Sequence, residues 1–157
     1  MTDREDPGSS AACPVCGSTS WERVRRTAEA THGSIAILAE GVSVDRCVCG
    51  HRRVPMAFRD AASSACSASI PVARGRRLRP DACVGCGASM SMPVRRSVRA
   101  VTVSPEDGPV TTLRLDLPMQ RCPECGLDHL PARGQGDLTA ALAAVIDAAV
   151  EAADPNA

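Results

Sequence analysis

The chain has 157 residues, no formal net charge at pH 7, one Trp, one Phe and no Tyr. Only 29 residues are Leu, Ile, Val or Phe, about 18% and below the roughly 20% at which a packed core becomes hard to build. A large self-sufficient hydrophobic core is therefore hard to build without added stabilisation, and the longest apolar run, residues 138–146, is too short to span a bilayer.

Residues 1–10 carry no apolar stretch of signal-peptide type. They are expected to be disordered. The chain is expected in the cytoplasm, where thiols stay reduced and paired cysteines more often hold metal than form disulfides. Cys13-Pro14-Val15-Cys16-Gly17 opens a first unit, residues 11–58, and Cys47-Val48-Cys49-Gly50 closes it. Between them His32-Gly33-Ser34 and Glu40-Gly41 punctuate short strands near residues 35–38 and 42–44. Residues 59–81 join this unit to the next as an Ala/Ser- and Arg-rich linker. Its stretch 61–69 predicts a short helix carrying the unpaired Cys66, read as a small buried hydrophobe because no base or metal partner stands beside it. Arg74, Arg76, Arg77 and Arg79 follow.

Cys83-Val84-Gly85-Cys86-Gly87 opens the second unit, residues 82–134, and Cys122-Pro123-Glu124-Cys125-Gly126 closes it. Val101 and Val103 alternate with polar residues, and residues 104–109 carry a turn signal. Leu113, Leu115 and Leu117 alternate with Arg114 and Asp116, the strongest strand signal in the chain. Residues 137–153 predict a helix within a C-terminal segment 135–157, with Asp137 as N-cap. Leu138, Leu142, Val145, Ile146, Ala149 and Val150 fall on one face. That face is expected to pack on its own ribbon, with a homo-oligomer or a partner protein as the alternative.

Eight of the nine cysteines thus stand in four pairs. Two short thiol pairs a few tens of residues apart can supply four soft ligands to one tetrahedral ion, with Zn–S about 2.3 Å. The glycine after each second cysteine suits the positive φ of a tight knuckle. The expectation is two Zn²⁺ per chain: one held by Cys13, Cys16, Cys47 and Cys49, the other by Cys83, Cys86, Cys122 and Cys125. Cys47 and Cys49 are one residue apart, so their loop is not a standard knuckle, and His51 is the alternative to Cys47. Disulfides or unliganded thiols are the competing reading of the pairs. Structural zinc is worth on the order of 10 kcal/mol in small finger peptides, which answers the shortage of large apolar residues. Each Zn²⁺ with four thiolates carries −2. Arg46, Arg52, Arg53 and Arg121 flank the closing pairs, either to offset that charge or as solvated surface.

Cys49-Gly50 with Val54-Pro55 matches Cys125-Gly126 with Leu130-Pro131, which points to a duplicated ribbon. The fold class expected is a small metal-stabilised β-rich (α+β) chain: tandem zinc ribbons with a C-terminal α-helix. The second unit resembles a YgiT-type zinc finger, the metal-binding module also found as the N-terminal half of MqsA-type antitoxins. The resemblance lies in Cys83 to Gly87, the insert ending Leu117-Pro118-Met119-Gln120-Arg121, Cys122 to Gly126, Leu130 and a following helix. It covers residues 81–150, with a weaker copy over 11–58. It implies zinc on Cys83, Cys86, Cys122 and Cys125 and contact with a protein, such as a toxin. Antitoxins of that type also carry a helix-turn-helix, which has no counterpart after the one helix here.

Function narrows accordingly. Four cysteines close a zinc site, whereas a catalytic zinc keeps a water position open. His32, His51 and His129 form no recognisable triad, and His32 and His129 default to polar surface. The leading expectation is a non-enzymatic, antitoxin-like protein-interaction or regulatory module, with no membrane contact. The alternative is a nucleic-acid-binding ribbon protein. Residues 61–100 hold seven arginines and one aspartate, and residues 101–157 hold three arginines and nine acids. The basic middle either contacts phosphate, pairs with the acidic third, or is solvated.

Overall fold

A computed structural model describes residues 11–154. The disorder expected of residues 1–10, and the tail 155–157, lie outside the described residues. In chain order the elements are β1 (Trp21–His32), β2 (Ile35–Cys47), β3 (Arg52–Arg53), α1 (Met56–Ser69), β4 (Arg74–Arg76), β5 (Arg79–Ala82), β6 (Arg95–Val103), β7 (Thr111–Arg121), β8 (Asp128–His129) and α2 (Gly134–Glu151). The chain is β-rich with a C-terminal helix, and no helix among the described residues is long and apolar enough to cross a membrane.

The hairpins β1–β2 and β6–β7 join edge to edge along β2 and β7. The sheet order is β1-β2-β7-β6, antiparallel throughout, with β3 on β2 and β8 on β7. Side-chain alternation then decides which face is wet. Leu113, Leu115 and Leu117 share the inner face with Val101, Val103, Ile35, Ile37 and Ala39. At Gly41 the register changes. Gly41 holds φ +78, and beyond it Val42 and Val44 point inward. A side chain there would run into the Arg25 guanidinium, whose Nε donates to the Gly41 carbonyl at 3.2 Å. Glu40-Gly41 is thus an irregularity inside one 13-residue strand, where the sequence suggested a break between two short ones.

α1 and α2 cover the inner face and complete one shared core. Phe58, Ala62 and Cys66 of α1 meet Leu138, Ala141, Leu142, Val145, Ile146 and Ala149 of α2 in it. Residues 59–81 therefore hold most of α1 and the β4–β5 hairpin. α2 packs on β1 and β2, and α1 on β6. This overturns the expectation that the C-terminal helix rests on its own ribbon. Because β2 and β7 are antiparallel, the end of β2 lies beside the β6–β7 turn. Arg23 there donates to the Asp107 carbonyl and Arg25 to the Val110 carbonyl. Each helix then runs back over the neighbouring hairpin. α2 also begins at Gly134, with Arg133 at the N-cap position, so Asp137 sits in the first turn and is not the cap.

Leu38 and Arg114 pair in the β2–β7 seam, and 76 residues separate them. The same interval separates Cys49 from Cys125. Applied to the pairs Ala36–Asp116 and Glu40–Thr112, it converts each into the other. The seam thus has a local two-fold relation between the closing strands.

Near the first cysteine group Asp45 is buried and paired with Arg23 at 2.8 Å. Removing one partner of a buried pair leaves a charge with no counter-ion. Arg23→Ala is expected to cost about 3 kcal/mol, at the low end for such pairs because Arg23 reaches solvent. Urea unfolding checks this; a change under about 1 kcal/mol would show that water solvates Asp45.

Candidate metal centres

The closing strands deliver the cysteines. Cys47 is the last residue of β2, and Cys122 directly follows β7. Since β2 and β7 are antiparallel, these ends lie at opposite ends of the sheet. Cys13 reaches the first through the segment preceding β1, and Cys83 reaches the second directly after β5.

Three of the four loops share one geometry. The Cys13 N–H donates to the Ser18 carbonyl at 2.8 Å and the Gly17 N–H returns to the Cys13 carbonyl at 2.8 Å. Cys83 with Ala88 and Gly87, and Cys122 with Leu127 and Gly126, repeat that pattern at 2.8–3.0 Å. The pair Cys47/Cys49 uses a loop one residue tighter: the Cys47 N–H donates to the His51 carbonyl at 2.8 Å and the Gly50 N–H to the Cys47 carbonyl at 2.9 Å. Missing one residue therefore does not prevent both sulfurs from turning to one point.

Two groups result, Cys13/Cys16/Cys47/Cys49 and Cys83/Cys86/Cys122/Cys125, with the four Sγ atoms of each within 4.8 Å of one another. Cys13 lies 3.7 Å from Cys49, Cys16 3.5 Å from Cys47, Cys83 3.6 Å from Cys125 and Cys86 3.5 Å from Cys122, sulfur to sulfur. A disulfide would bring sulfurs to about 2.05 Å. A tetrahedron with bonds of about 2.3 Å has edges of about 3.8 Å. The donor set, its number and its spacing fit a closed tetrahedral ion. In each pair the first cysteine is buried and the second exposed, so each group faces the protein on one side and water on the other.

The thiols of a group differ in acidity. Burial pushes Cys83 up, yet N–H groups of Cys86 and Gly85 outweigh it and bring its pKa down to about 6. Cys13 falls to about 7 in the same way, with Cys16 and Val15 as donors. Cys122 is lowered by the N–H of Cys125. Cys16 and Cys86 rise to about 12: the N–H groups of Ser18 and Ala88 favour their thiolates, but sharing protons with Cys47 and Cys122 prevails. An arriving metal ion must displace those protons, so its affinity rises with pH and falls with acid. Bound metal is expected to leave steeply as pH drops from about 7 to about 5, read with a colorimetric chelator. Release independent of pH would contradict thiolate ligation.

His51 is not among the converging ligand atoms. Its ring meets the edge of Trp21 at 6.1 Å between centroids, while Arg53 covers the Trp21 ring at 4.0 Å. The Trp21 Nε1–H donates to the Ala11 carbonyl at 3.0 Å, and Trp21 packs with Cys13 and Cys47. The arginines beside the pairs go to carboxylates: Arg46 to Glu22 at 2.6 Å, Arg52 to Asp154 at 2.8 Å and Arg121 to Asp128 at 3.0 Å. Arg121 and Arg99 hold the Asp128 carboxyl below its usual range. Stability from that contact is present above the ordinary value of 3.8 and is lost as pH falls further.

His129 overturns its assignment to polar surface. It is fully buried in β8, and its Nδ1 lies 3.0 Å from the Leu127 carbonyl. A carbonyl only accepts, so Nδ1 carries the proton and Nε2 accepts the Val84 N–H at 3.2 Å. One neutral ring therefore ties the loop of Cys83/Cys86 to that of Cys122/Cys125. The signal available was its place four residues after Cys125. His129→Ala is expected to weaken retention at this group alone by about 10-fold or more, by analogy with partners that orient metal ligands. Chelator competition reads it as one metal leaving early; two metals leaving together would contradict the brace. Compared with known proteins, the chain matches no protein-family profile, no curated protein and no solved structure.

Proposed function

We propose that the chain is a non-enzymatic zinc protein whose two four-cysteine centres are structural and whose surface binds a protein partner in a regulatory role. The observation that carries the metal half is the convergence of four sulfurs at tetrahedral spacing, twice, at 3.5–3.7 Å. Four soft ligands select a borderline-soft ion and leave no position for a reacting water. Duplication of one zinc-ribbon unit accounts for the matched order of loops, hairpin and helix. The YgiT-type resemblance, with its antitoxin-like role, belongs to the same reading, as does a cytoplasmic location that keeps the thiols reduced.

The partner half rests on the face of the sheet away from the helices. Across it run the rows Thr31–Ala36–Asp116–Val98 and Glu29–Leu38–Arg114–Ala100. Val98 is 71% exposed, and Leu38 lies beside a shallow depression lined also by Ala36, Arg114 and Asp116. Leu38 and Val98 stand on either side of Arg114 and Asp116 on this face, a mixed apolar and charged surface of the kind a modest protein interface uses. The apolar face of α2, the other candidate, is packed on β1 and β2 within the chain. Affinity capture from the source cell with nuclease present is expected to retain a defined protein. Leu38→Glu with Val98→Glu should abolish that capture while both metals stay bound. Capture unaffected by the double variant would reject this face.

A further inference from the structure

The seven ion pairs of the described residues use Arg23, Arg46, Arg52, Arg96, Arg99, Arg114 and Arg121. None uses Arg74, Arg76, Arg77 or Arg79. These four stand together on the β4–β5 hairpin, a two-stranded ribbon outside the main sheet, where residues 74–80 are all exposed. The acid in this segment, Asp81, has its carboxylate engaged with the Ala132 N–H at 2.8 Å. The basic middle of the chain is therefore split: Arg96 and Arg99 are neutralised by carboxylates, while the hairpin keeps its charge outward.

The hairpin tip is unusual in a second, independent way. Arg76 pairs with Arg79, so Arg77 and Leu78 form a two-residue turn. Leu78 holds φ +58, the one non-glycine residue among those described with positive φ, and it is 97% exposed. A turn needing positive φ at its second position is most cheaply made with glycine. Here it presents a branched apolar side chain to water with arginines before and after it. Strained backbone of this kind gathers at sites of function.

We propose that the β4–β5 hairpin binds duplex DNA, with Arg74, Arg76, Arg77 and Arg79 on phosphates and Leu78 directed into the minor groove. Minor-groove proteins combine the same two elements, arginines beside a single apolar wedge that partly unstacks a base step. A two-stranded ribbon with a two-residue tip is narrow enough to follow a groove edge. Single strands are disfavoured as ligands because their binders stack bases on exposed aromatic rings, and Trp21 and Phe58 are both buried. The hairpin contributes affinity without reading sequence, since phosphates carry none. This surface lies apart from the open sheet face, and the proposal holds whichever metal fills the cysteine groups.

The test is fluorescence anisotropy with the full, metal-replete chain and a labelled 20-base-pair A·T-rich duplex between 50 and 200 mM KCl. Four phosphate contacts predict a slope of log K against log salt of about −3.6, a weakening of about 100-fold across that range from micromolar binding at the low end. Replacing all four arginines with alanine should remove binding at 50 mM KCl. Replacing them with lysine should keep the slope. Arg77→Glu with Arg79→Glu, two exposed changes, checks the loss without depending on the quadruple variant. Leu78→Gly relaxes the turn, so it should keep the slope yet bind the duplex several-fold more weakly. No binding at 50 mM KCl, an unchanged slope in the alanine variant, or tighter binding to the single strand would overturn the proposal. Equal or tighter duplex binding by Leu78→Gly would overturn the wedge.

Discussion

Replacing Cys122 with serine is expected to release one of two metal ions and to lower the melting temperature by about 10 °C or more. Cys122 is a buried sulfur that directly follows β7, 3.5 Å from Cys86. Serine leaves three thiols around the ion and a hydroxyl that does not ionise. Loss of a structural metal is among the few single changes that exceed about 4 kcal/mol, and each kcal/mol moves the midpoint by about 2–4 °C at this size. The damage should concentrate at one end of the sheet. Cys83, Cys122, Ala73 and Met90 form a small cluster separate from the main core, so few apolar contacts hold it when the ion goes. Cys66→Ser is the control. Cys66 is buried in the main core on α1 and belongs to neither group. Its replacement should cost about 1–3 kcal/mol, the range for a buried polar group short of a partner, and leave both metals bound. Metal content and melting measured on the two variants separate the cases. Equal metal content would show that Cys122 is not a ligand.

Leu115→Ala should destabilise the chain by about 3–4 kcal/mol, the usual range for a fully buried leucine. Its larger value lies in where the effect is seen. Leu115 belongs to the second hairpin and pairs with Ile37 of the first across the seam. Both are fully buried in the core that α1 and α2 close. Trp21 is the one tryptophan of the chain and sits on β1 beside the first cysteine group. If the two hairpins share one cooperative core, the Trp21 fluorescence transition shifts as far as the far-ultraviolet dichroism transition. If they fold independently, Trp21 unfolds where it did before. Coincident transitions are the expected result.

The parts legible from sequence were those whose signal is local. Each cysteine pair declares itself within three to five residues. Leu113, Leu115 and Leu117 announce a strand by alternation, and the spacing from Leu138 to Ala149 announces α2. β1 was illegible because it is an edge strand, and Glu22, Arg25, Thr27 and Glu29 leave little apolar alternation. The β2–β7 seam was hidden for another reason. A repeat in sequence states that two units are alike, not that they pair with each other, and the pairing joins residues more than 70 apart. The placement of α2 follows from that seam and was lost with it. So was the economy of the core. Few large apolar residues suffice because both hairpins and both helices bury theirs in the same place. His129 was misjudged because a histidine near a cysteine pair reads as surface until β8 folds it under the loop that it braces.

The most direct test of the account is the metal itself. Protein expressed without added metal and purified under reducing conditions should carry two zinc ions per chain and negligible iron. X-ray absorption at the zinc edge should show four sulfurs at about 2.3 Å with no nitrogen or oxygen. One zinc per chain, an iron chromophore, or a mass two units low for each oxidised cysteine pair would contradict two structural zinc centres of four cysteines each.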